Sequence, residues 1–294
     1  MMSANPIQLL VCDLDNTLYD WVGFFVPSFY EMVKVAVDIL DCEEATLLNE
    51  LKRVHQIHHD AEHPFALLET QIVQNRFPSV ETARKELDPA FHAFNKLRKS
   101  KLVLYPSVKQ GLEALGRAGV KIVAHTESQL FAALGRLEKL DIAGQFSHLY
   151  CKERPKTLSS NAQPLFASVS LAEDRVIELS HHQRKPNPDV LTEICEREGV
   201  PCNRAAYLGD SLAKDILMAK QAGVLAIWAA YGTKHETGLY EKLVRVSHWS
   251  DSDVRREKYL SEKSRSVVPD FVVDSFAEVV ALCIGTPRAI AESS

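Results

Sequence analysis

Two carboxylates lie two residues apart in the segment Asp13-Leu-Asp15-Asn-Thr17, directly after a short apolar run. That run, Ile7–Cys12, has the length and composition of a buried strand. Ligands of open parallel sheets bind beyond the carboxyl ends of the strands, so both side chains would emerge at a site. One carboxylate can attack an electrophile or bind a metal while the other moves a proton. Taken alone, a solvated acidic turn or a helix N-cap is the better interpretation of such a short motif.

A second acidic pair follows a second predicted strand. Gly209-Asp210-Ser211 comes after Ala205–Leu208, and Asp215 lies five residues after Asp210. If both strand ends meet at one edge of a sheet, the carboxylates form a hard oxygen site that suits Mg²⁺. The plainer alternative is that Asp210 or Ser211 only caps the helix that begins near Leu212.

Two further residues between these pairs could bind an anion. Thr126 follows the predicted strand Val120–Ala124 and offers a hydroxyl and a backbone N–H. Lys185 lies in Arg184-Lys185-Pro-Asn-Pro188, a loop stiffened by two prolines, and its compact charge can neutralise phosphate. Singly, each residue is more often an ordinary surface threonine or lysine, so their order along the chain carries the argument.

The elements that must position these residues alternate between strand and helix. Further short apolar runs of the strand type are found at Val176–Leu179, Val224–Ala229 and Phe271–Val273. Helical patterns that end at or before a glycine cover Ser107–Arg117, Gln129–Leu140, Pro188–Arg197 and Leu212–Gln221. The alternation predicts an α/β fold with a Rossmann-like, doubly wound parallel sheet covered on both faces.

The alternation is interrupted after the first predicted strand. Residues 19–99 contain no convincing strand and show four amphipathic helical patterns, at Pro27–Leu40, Glu43–His59, Phe65–Asn75 and Val80–Arg98. Pro89 should start or kink a helix. We interpret 19–99 as an inserted α-helical domain and residues 1–18 and 100–294 as a discontinuous core, with the sheet resuming near Leu102–Pro106. The polar segments 151–174 and 234–268 are predicted to be surface excursions, with a helix near Tyr240–Val246.

Composition limits the partners and the compartment. The formal net charge of −5 gives no general attraction to nucleic acid or to anionic membranes, so any phosphate site must be local. The six scattered cysteines show no zinc or redox spacing and favour reduced thiols. We find neither a signal-peptide pattern nor about twenty consecutive apolar residues. The cytoplasm is the expected location, and the oligomeric state cannot be read from the sequence.

The order of the motifs resembles that of the haloacid dehalogenase-like (HAD) superfamily. Asp13-x-Asp15-x-Thr17, a strand ending at Thr126, Lys185-Pro, and Gly209-Asp210 followed by Asp215 match its four motifs in sequence. The resemblance covers residues 1–18 and about 100–285, and the helical insert is similar to the superfamily's C1-type cap. A cap of this kind would close over the site and select the substrate.

The resemblance implies a role for each matching residue. Asp13 would attack phosphorus and form an aspartyl-phosphate, and Asp15 would act as acid and then as base. Thr126 and Lys185 would bind the phosphoryl oxygens. Mg²⁺ would bind Asp13, the backbone carbonyl of Asp15, and Asp210. Three further residues would support the site: Asp215, Thr17 and Ser211. The implied function is a phosphatase acting on a small phosphorylated metabolite.

Alternatives remain at this stage. A phosphomutase keeps both Asp13 and Asp15, whereas an aspartate at position 15 argues against carbon–halogen and carbon–phosphorus cleavage. A catalytically silent binding protein could also retain the fold. The interval from Thr126 to Lys185 is longer than is typical, which leaves Lys152, Lys156 and Arg184 as other candidates for the phosphate-binding cation.

Two groups in the helical insert attract attention without a clear function. His55, His59 and His63 recur every four residues, with His58 beside them, and on a continuous helix they could form a metal site. Because Pro64 and a helix end lie close by, we expect a polar surface instead. A second group of aromatic residues (Trp21, Phe24, Phe25, Phe29 and Tyr30) has helical spacing, and we expect it to form core.

Overall fold

The computed structural model describes residues 7–63, 65–153, 172–249, 251–264 and 266–285. Within them the chain divides into two compact units. The described residues of Met1–Tyr19, Leu104–Lys234 and Leu260–Ser294 form the sheet unit, and those of Asp20–Val103 and His235–Tyr259 form the helical unit. Among the described residues, no helix has both the length and the apolar character that a bilayer crossing requires.

The sheet unit contains seven parallel strands in the spatial order β4-β3-β2-β1-β5-β6-β7. They are β1 Leu9–Cys12, β2 Lys121–Gln129, β3 Leu149–Lys152, β4 Val176–Leu179, β5 Ala205–Gly209, β6 Leu225–Ala229 and β7 Phe271–Val273. The chain builds the sheet outward from β1 to β4 on one side, then returns to place β5 on the other side of β1. Such a reversal defines a topological switch point, where open α/β sheets bind ligands.

Helices cover both faces of this sheet, as the doubly wound prediction requires. The helices of this unit are α6 Val108–Arg117, α7 Leu130–Lys139, α8 Pro188–Glu198, α9 Leu217–Gln221 and α12 Phe276–Ile284. Leu9 and Val11 of β1 pack with residues of α8 and α9 in one buried cluster. Elsewhere α6 packs on α12. The two helices are so close that a Cβ atom added to Gly111 would lie 2.5 Å from the Phe276 ring. The predicted fold class is therefore confirmed.

The helical unit contains α1 Trp21–Leu40, α2 Glu44–His58, α3 Gln71–Arg76, α4 Val80–Glu86, α5 Asp88–Lys101 and α10 Leu239–Val246. Helix α11, Asp251–Ser264, begins in this unit, and the chain returns to the sheet unit at Leu260. Phe24, Phe25 and Phe29 are buried as expected for core, and Phe25 stacks on Trp21 at a centroid distance of 4.9 Å. Pro89 lies in the first turn of α5, as predicted.

The structure differs from the sequence predictions in several segments. Leu102–Pro106 forms no strand of the sheet, and Leu104 makes only an isolated bridge with Tyr19. Strand β3, which lies between β2 and β4, was not predicted, and its last two residues are the first two of segment 151–174. Most of that segment, residues 154–171, lies outside the described residues. The apolar stretch within Leu149–Lys152 is too short to be recognised as a strand from the sequence, because a polar segment follows it directly.

Most of segment 234–268, which the sequence analysis assigned to the core, lies in the helical unit. Its residues His235–Tyr259 belong to the helical unit, because α10 buries Leu239, Leu243 and Val246 there. The Nδ1 atom of His55 lies 2.6 Å from the carbonyl oxygen of Val246, and Tyr30 donates to the carbonyl oxygen of Lys242 at 3.1 Å. The helical unit is therefore assembled from two distant stretches of sequence.

Candidate active site

The candidate site lies at the carboxyl ends of β2, β1 and β5, three neighbouring strands at the switch point. Asp13 immediately follows β1, and its backbone N–H donates to the carbonyl oxygen of Leu208 at 2.9 Å. Asp210 follows β5, and Thr126 lies in the last part of β2. The parallel register that pairs Cys12 with both Ala124 and Leu208 brings these positions to the same edge.

Three carboxylates meet at this edge. Asp13, Asp210 and Asp215 each place one oxygen within 4.8 Å of the others. We call these three residues the acidic cluster. Asp215 is delivered by a π-helical turn, Leu212–Ile216, and accepts from the backbone N–H of Ser211 at 3.1 Å. A side chain on Gly209 would lie 2.4 Å from the Asp215 carboxyl group, so the close approach requires glycine at that position.

Lys185 supplies a buried positive charge to the acidic cluster. Its Nζ atom lies 2.5 Å from Oδ1 of Asp13 and 2.9 Å from Oδ1 of Asp215. Although burial alone lowers the pKa of a lysine, the Asp13 and Asp215 charges hold the pKa of Lys185 well above its usual value. Although the sequence between Thr126 and Lys185 is long, Lys185 therefore lies at the site. Of the other candidate cations, Lys152 ends β3, Arg184 adjoins Lys185, and Lys156 lies outside the described residues.

One lysine does not balance three carboxylates. Burial, together with the neighbouring Asp215 and Asp15, raises the pKa of Asp13 to about 7 despite the lowering effect of Lys185. Burial and the charges of Asp13 and Asp215 also raise the pKa of Asp210 well above its usual value. A set of clustered oxygen donors with surplus negative charge fits a hard divalent cation, which would relieve the repulsion. The residues that would hold it are Asp13 and Asp210 through their carboxylates and Asp15 through its backbone carbonyl.

Asp15 is held by two residues that sequence reasoning missed. Its Oδ1 atom accepts from Nη1 of Arg136 at 2.5 Å, and its Oδ2 atom accepts from the Ser128 hydroxyl at 2.7 Å. Arg136 lies on α7 and is buried, and its Nε also donates to the carbonyl oxygen of Ala132. Arg136 is 121 residues from Asp15, so no local pattern could have joined them.

The smaller predicted residues support this arrangement through hydrogen bonds. The hydroxyl of Thr17, which is buried, donates to Oδ2 of Asp13 at 3.1 Å. The Oγ1 atom of Thr126, also buried, accepts from the backbone N–H of Ser128 at 3.1 Å. The Ser211 side chain caps the π-helical turn by accepting from the N–H of Lys214 at 3.2 Å. Ser211 therefore has the helix-capping role that the sequence offered as an alternative, and its backbone N–H also donates to Asp215.

The turn after β6 also packs against the segment Asp13–Thr17, which the sequence did not indicate. Tyr231 donates its hydroxyl to the carbonyl oxygen of Thr17 at 2.7 Å. A side chain on Gly232 would lie 1.7 Å from the carbonyl oxygen of Asn16 and 3.2 Å from Cβ of Asp210. Trp228 donates from Nε1 to the carbonyl oxygen of Asp210 at 2.7 Å. These contacts fix the backbone on which Asp13 and Asp210 are carried.

The fold and the site thus define a parallel α/β protein with carboxylates and a buried lysine at the switch point of its sheet. The family model described as haloacid dehalogenase-like hydrolase matches residues 7–223, and a HAD-hydrolase-like model matches residues 182–279. Because the first match covers well over half of the chain, this protein belongs to the haloacid dehalogenase-like hydrolase family. The resemblance drawn from the sequence motifs is confirmed.

Several curated relatives cover most of the chain. It is 25% identical over 281 residues to glyceraldehyde 3-phosphate phosphatase of Methanopyrus kandleri, covering 93% of this chain and 96% of the relative. It is 24% identical over 238 residues to phosphoglycolate phosphatase of Agrobacterium fabrum, covering 79% and 84%. Both relatives carry phosphatase names, which bear on the proposal below.

Solved structures show the same fold. The chain superposes on a structure described as a beta-phosphoglucomutase of Thermotoga maritima with a TM-score of 0.51 at 15% identity, covering 94% of this chain and 98% of the other. A HAD hydrolase of Bacillus subtilis, crystallised bound to magnesium, gives a TM-score of 0.50 at 12% identity, covering 95% and 99%. At these identities the likeness establishes the fold and carries no assignment of substrate.

Proposed function

We propose that this protein is a Mg²⁺-dependent phosphatase that hydrolyses a small organic phosphate monoester through an aspartyl-phosphate on Asp13. The observation that carries the proposal is the meeting of Asp13, Asp210 and Asp215 at the switch point of the sheet, where the buried Lys185 pairs with Asp13 and Asp215. The phosphatase names of the curated relatives favour the same reaction. The cysteines form no disulfide in the described residues, which suits a reaction in the reducing cytoplasm.

In the first step a carboxylate oxygen of Asp13 bonds to phosphorus as the bond to the ester oxygen breaks. Asp15 donates a proton to the departing alkoxide. Lys185 and Thr126 bind the phosphoryl oxygens, so that the negative charge of the phosphate does not repel the attacking carboxylate. When bound, Mg²⁺ supplies further positive charge at the transferring group.

In the second step Asp15, now ionised, accepts a proton from water. The water oxygen bonds to phosphorus while the bond from phosphorus to Asp13 breaks, which regenerates the Asp13 carboxylate and releases inorganic phosphate. Arg136 and Ser128 hold both oxygens of Asp15 and so set the orientation of the base. Asp215 accepts hydrogen bonds from Lys185 and from the N–H of Ser211, so it positions the lysine instead of reacting.

The test is hydrolysis of phosphoglycolate, glyceraldehyde 3-phosphate and p-nitrophenyl phosphate with Mg²⁺, with EDTA, and after Mg²⁺ is restored. We expect Asp13→Asn to lower kcat by about 10⁶-fold, the scale on which loss of a nucleophile slows other hydrolases. Asp15→Asn should retain more activity, because an acid–base group contributes about 10²–10⁴-fold. Acid quenching followed by mass spectrometry should find the phosphoryl group on Asp13.

The exposed His92, which pairs with Asp88 on α5, provides a control. His92→Gln should leave turnover unchanged. Wild-type rates from Asp13→Asn would exclude the covalent mechanism. Absence of hydrolysis of all three esters with Mg²⁺ would favour a binding protein that retains the fold, and transfer of the phosphoryl group to a second hydroxyl of the substrate would indicate a mutase.

A further inference from the structure

A second group of metal-ligand side chains lies in the helical unit, outside the acidic cluster. His58, His63 and Glu69 each place a ligand atom within 4.8 Å of the others. The Nε2 atom of His58 lies 2.6 Å from Oε2 of Glu69, and the Nε2 atom of His63 lies 2.7 Å from Oε1. Each imidazole thus faces its own oxygen of a single carboxylate. We call these three residues the imidazole cluster.

The turn after α2 brings the two histidines together. Helix α2 ends at His58, and His59 takes a left-handed conformation with φ of 49°. The N–H of Asp60 donates to the carbonyl oxygen of His55 at 3.1 Å, which closes the end of the helix. His63 therefore folds back beside His58, and their rings stack in parallel at a centroid distance of 3.4 Å. The continuous helix that would have joined His55, His59 and His63 does not exist.

Glu69 is held opposite the histidines by a buried turn. It is the last residue of a 3₁₀ turn, Ala66–Glu69, whose first three side chains are buried. Phe65, directly before this turn, packs edge-on against Phe91 at 5.3 Å and lies under the guanidinium of Arg84 at 4.8 Å. Both sides of the imidazole cluster are therefore anchored in packed structure, so the backbone holds the three residues beside one another.

The donor chemistry of the cluster selects a class of metal. Without a metal, each Nε2–H donates to Glu69. Because the two rings are stacked in parallel, their nitrogen lone pairs do not point at one ion, so a divalent cation would replace the two protons after one of these partly exposed rings turns about its Cβ–Cγ bond. Two imidazole nitrogens and one carboxylate oxygen form a donor set of three-ligand Zn²⁺ sites, which leave a further position open. Imidazole is a poor ligand for Mg²⁺ and a good one for Zn²⁺. The side chains are 16–40% exposed, so the site is open to solvent.

From this geometry we propose that His58, His63 and Glu69 bind one Zn²⁺ ion in the helical unit. The site is independent of the proposed phosphatase reaction, because its ligands differ in residue type and in location from those of the acidic cluster. The neighbouring His55 takes no part, since its Nδ1 atom is directed at the carbonyl oxygen of Val246.

The test is competition between the EDTA-stripped, full-length protein and a chromophoric Zn²⁺ chelator, in the presence of excess Mg²⁺ so that oxygen-only sites are occupied. We expect one Zn²⁺ per chain. His63→Gln and Glu69→Gln should each weaken binding by at least about tenfold, since even loss of an outer partner of a metal ligand costs about 10–100-fold. Bound Co²⁺ should give visible absorption without the charge-transfer band of a thiolate ligand.

Two controls separate this site from general histidine binding and from the acidic cluster. His92→Gln removes another histidine that faces a carboxylate and should leave Zn²⁺ affinity unchanged. Asp210→Asn should also retain the Zn²⁺ site. Equal affinity in wild type, His63→Gln and Glu69→Gln would overturn the proposal, as would a thiolate band in the Co²⁺ spectrum. Circular dichroism of each variant excludes misfolding as the cause of a loss.

Discussion

The acidic cluster and the imidazole cluster are both built where regular structure ends, but they differ in how their charges are held. Asp13, Asp215 and the Lys185 that joins them are 7%, 2% and 2% exposed, and they come from sites far apart in the sequence. The imidazole cluster comes from residues 58–69, near the surface. Buried charges are costly to leave unpaired, whereas exposed pairs contribute little. The two regions should therefore respond very differently to the loss of one member.

The largest expected effect on stability comes from Lys185→Met. In EDTA-treated protein, removal of the buried cation leaves Asp13 and Asp215 without their partner, and loss of one partner of a buried pair costs about 3–5 kcal/mol. Glu69→Gln in the exposed cluster should cost only about 0–1 kcal/mol. Urea unfolding of both variants measures the contrast, and equal losses would show that burial does not distinguish the two clusters.

A buried histidine should give the helical unit its own pH dependence. Burial lowers the pKa of His55 to about 4, against an unfolded value near 6.5, despite its hydrogen bond to Val246. The neutral folded form is fully favoured above about pH 6.5, and the stability is lost as the pH falls toward 4. The loss should reach about 3 kcal/mol, from 1.36 kcal/mol per pKa unit.

His55→Asn isolates this contribution, because its amide nitrogen can occupy the place of Nδ1 without titrating. The difference in unfolding free energy between wild type and variant should shrink or change sign between pH 7 and pH 4. Trp21 and Trp249 lie in the helical unit and offer a fluorescence signal for its unfolding. A difference that stays constant over this range would contradict the assignment.

A smaller effect is expected in the sheet unit when Asp15 loses its orienting partner. Arg136→Gln should lower kcat by about 10²-fold, the scale of a misplaced catalytic group, with little change in KM. The slower step should be hydrolysis of the phosphoenzyme, so rapid-quench experiments should show a burst of released alcohol. Lys139→Gln, the same charge change at an exposed position of α7, should stay within about twofold of wild type. If KM of the Arg136→Gln variant rose by about the factor expected for the fall in kcat, Arg136 would instead act in substrate binding.

The sequence was informative about the sheet unit wherever strand, turn and helix signals agreed. The segments around Asp13, Lys185 and Asp210 each combine an apolar run or a helix start with a polar side chain, so their convergence could be predicted from parallel topology. The contributions of Arg136 and Tyr231 could not be predicted. Each residue contacts the site through a hydrogen bond to a residue more than 100 positions away in the sequence, and no local pattern marks such a contact. The predicted roles of the site residues remain predictions until the variants are measured.

In the helical unit, helix existence was predictable and helix ends were not. The histidine repeat predicted one face of a continuous helix, but the left-handed residue His59 ends α2 and replaces that face with a different set of neighbours. Glu69 is eleven residues from His58, a separation with no helical or strand periodicity. Turn conformation, which sequence patterns encode weakly, decided which side chains meet.

The composition of the helical unit from two stretches has a consequence for how the chain acquires its structure. Helices α1 and α2 are made early in synthesis, yet the surface that receives Leu239, Leu243 and Val246 stays open until about 200 residues later. Burial of each such side chain contributes about 1.5–3 kcal/mol. A ribosome-bound fragment ending near residue 230 should therefore display an incomplete helical unit to chaperones, and a deletion intended to isolate the sheet must remove both stretches.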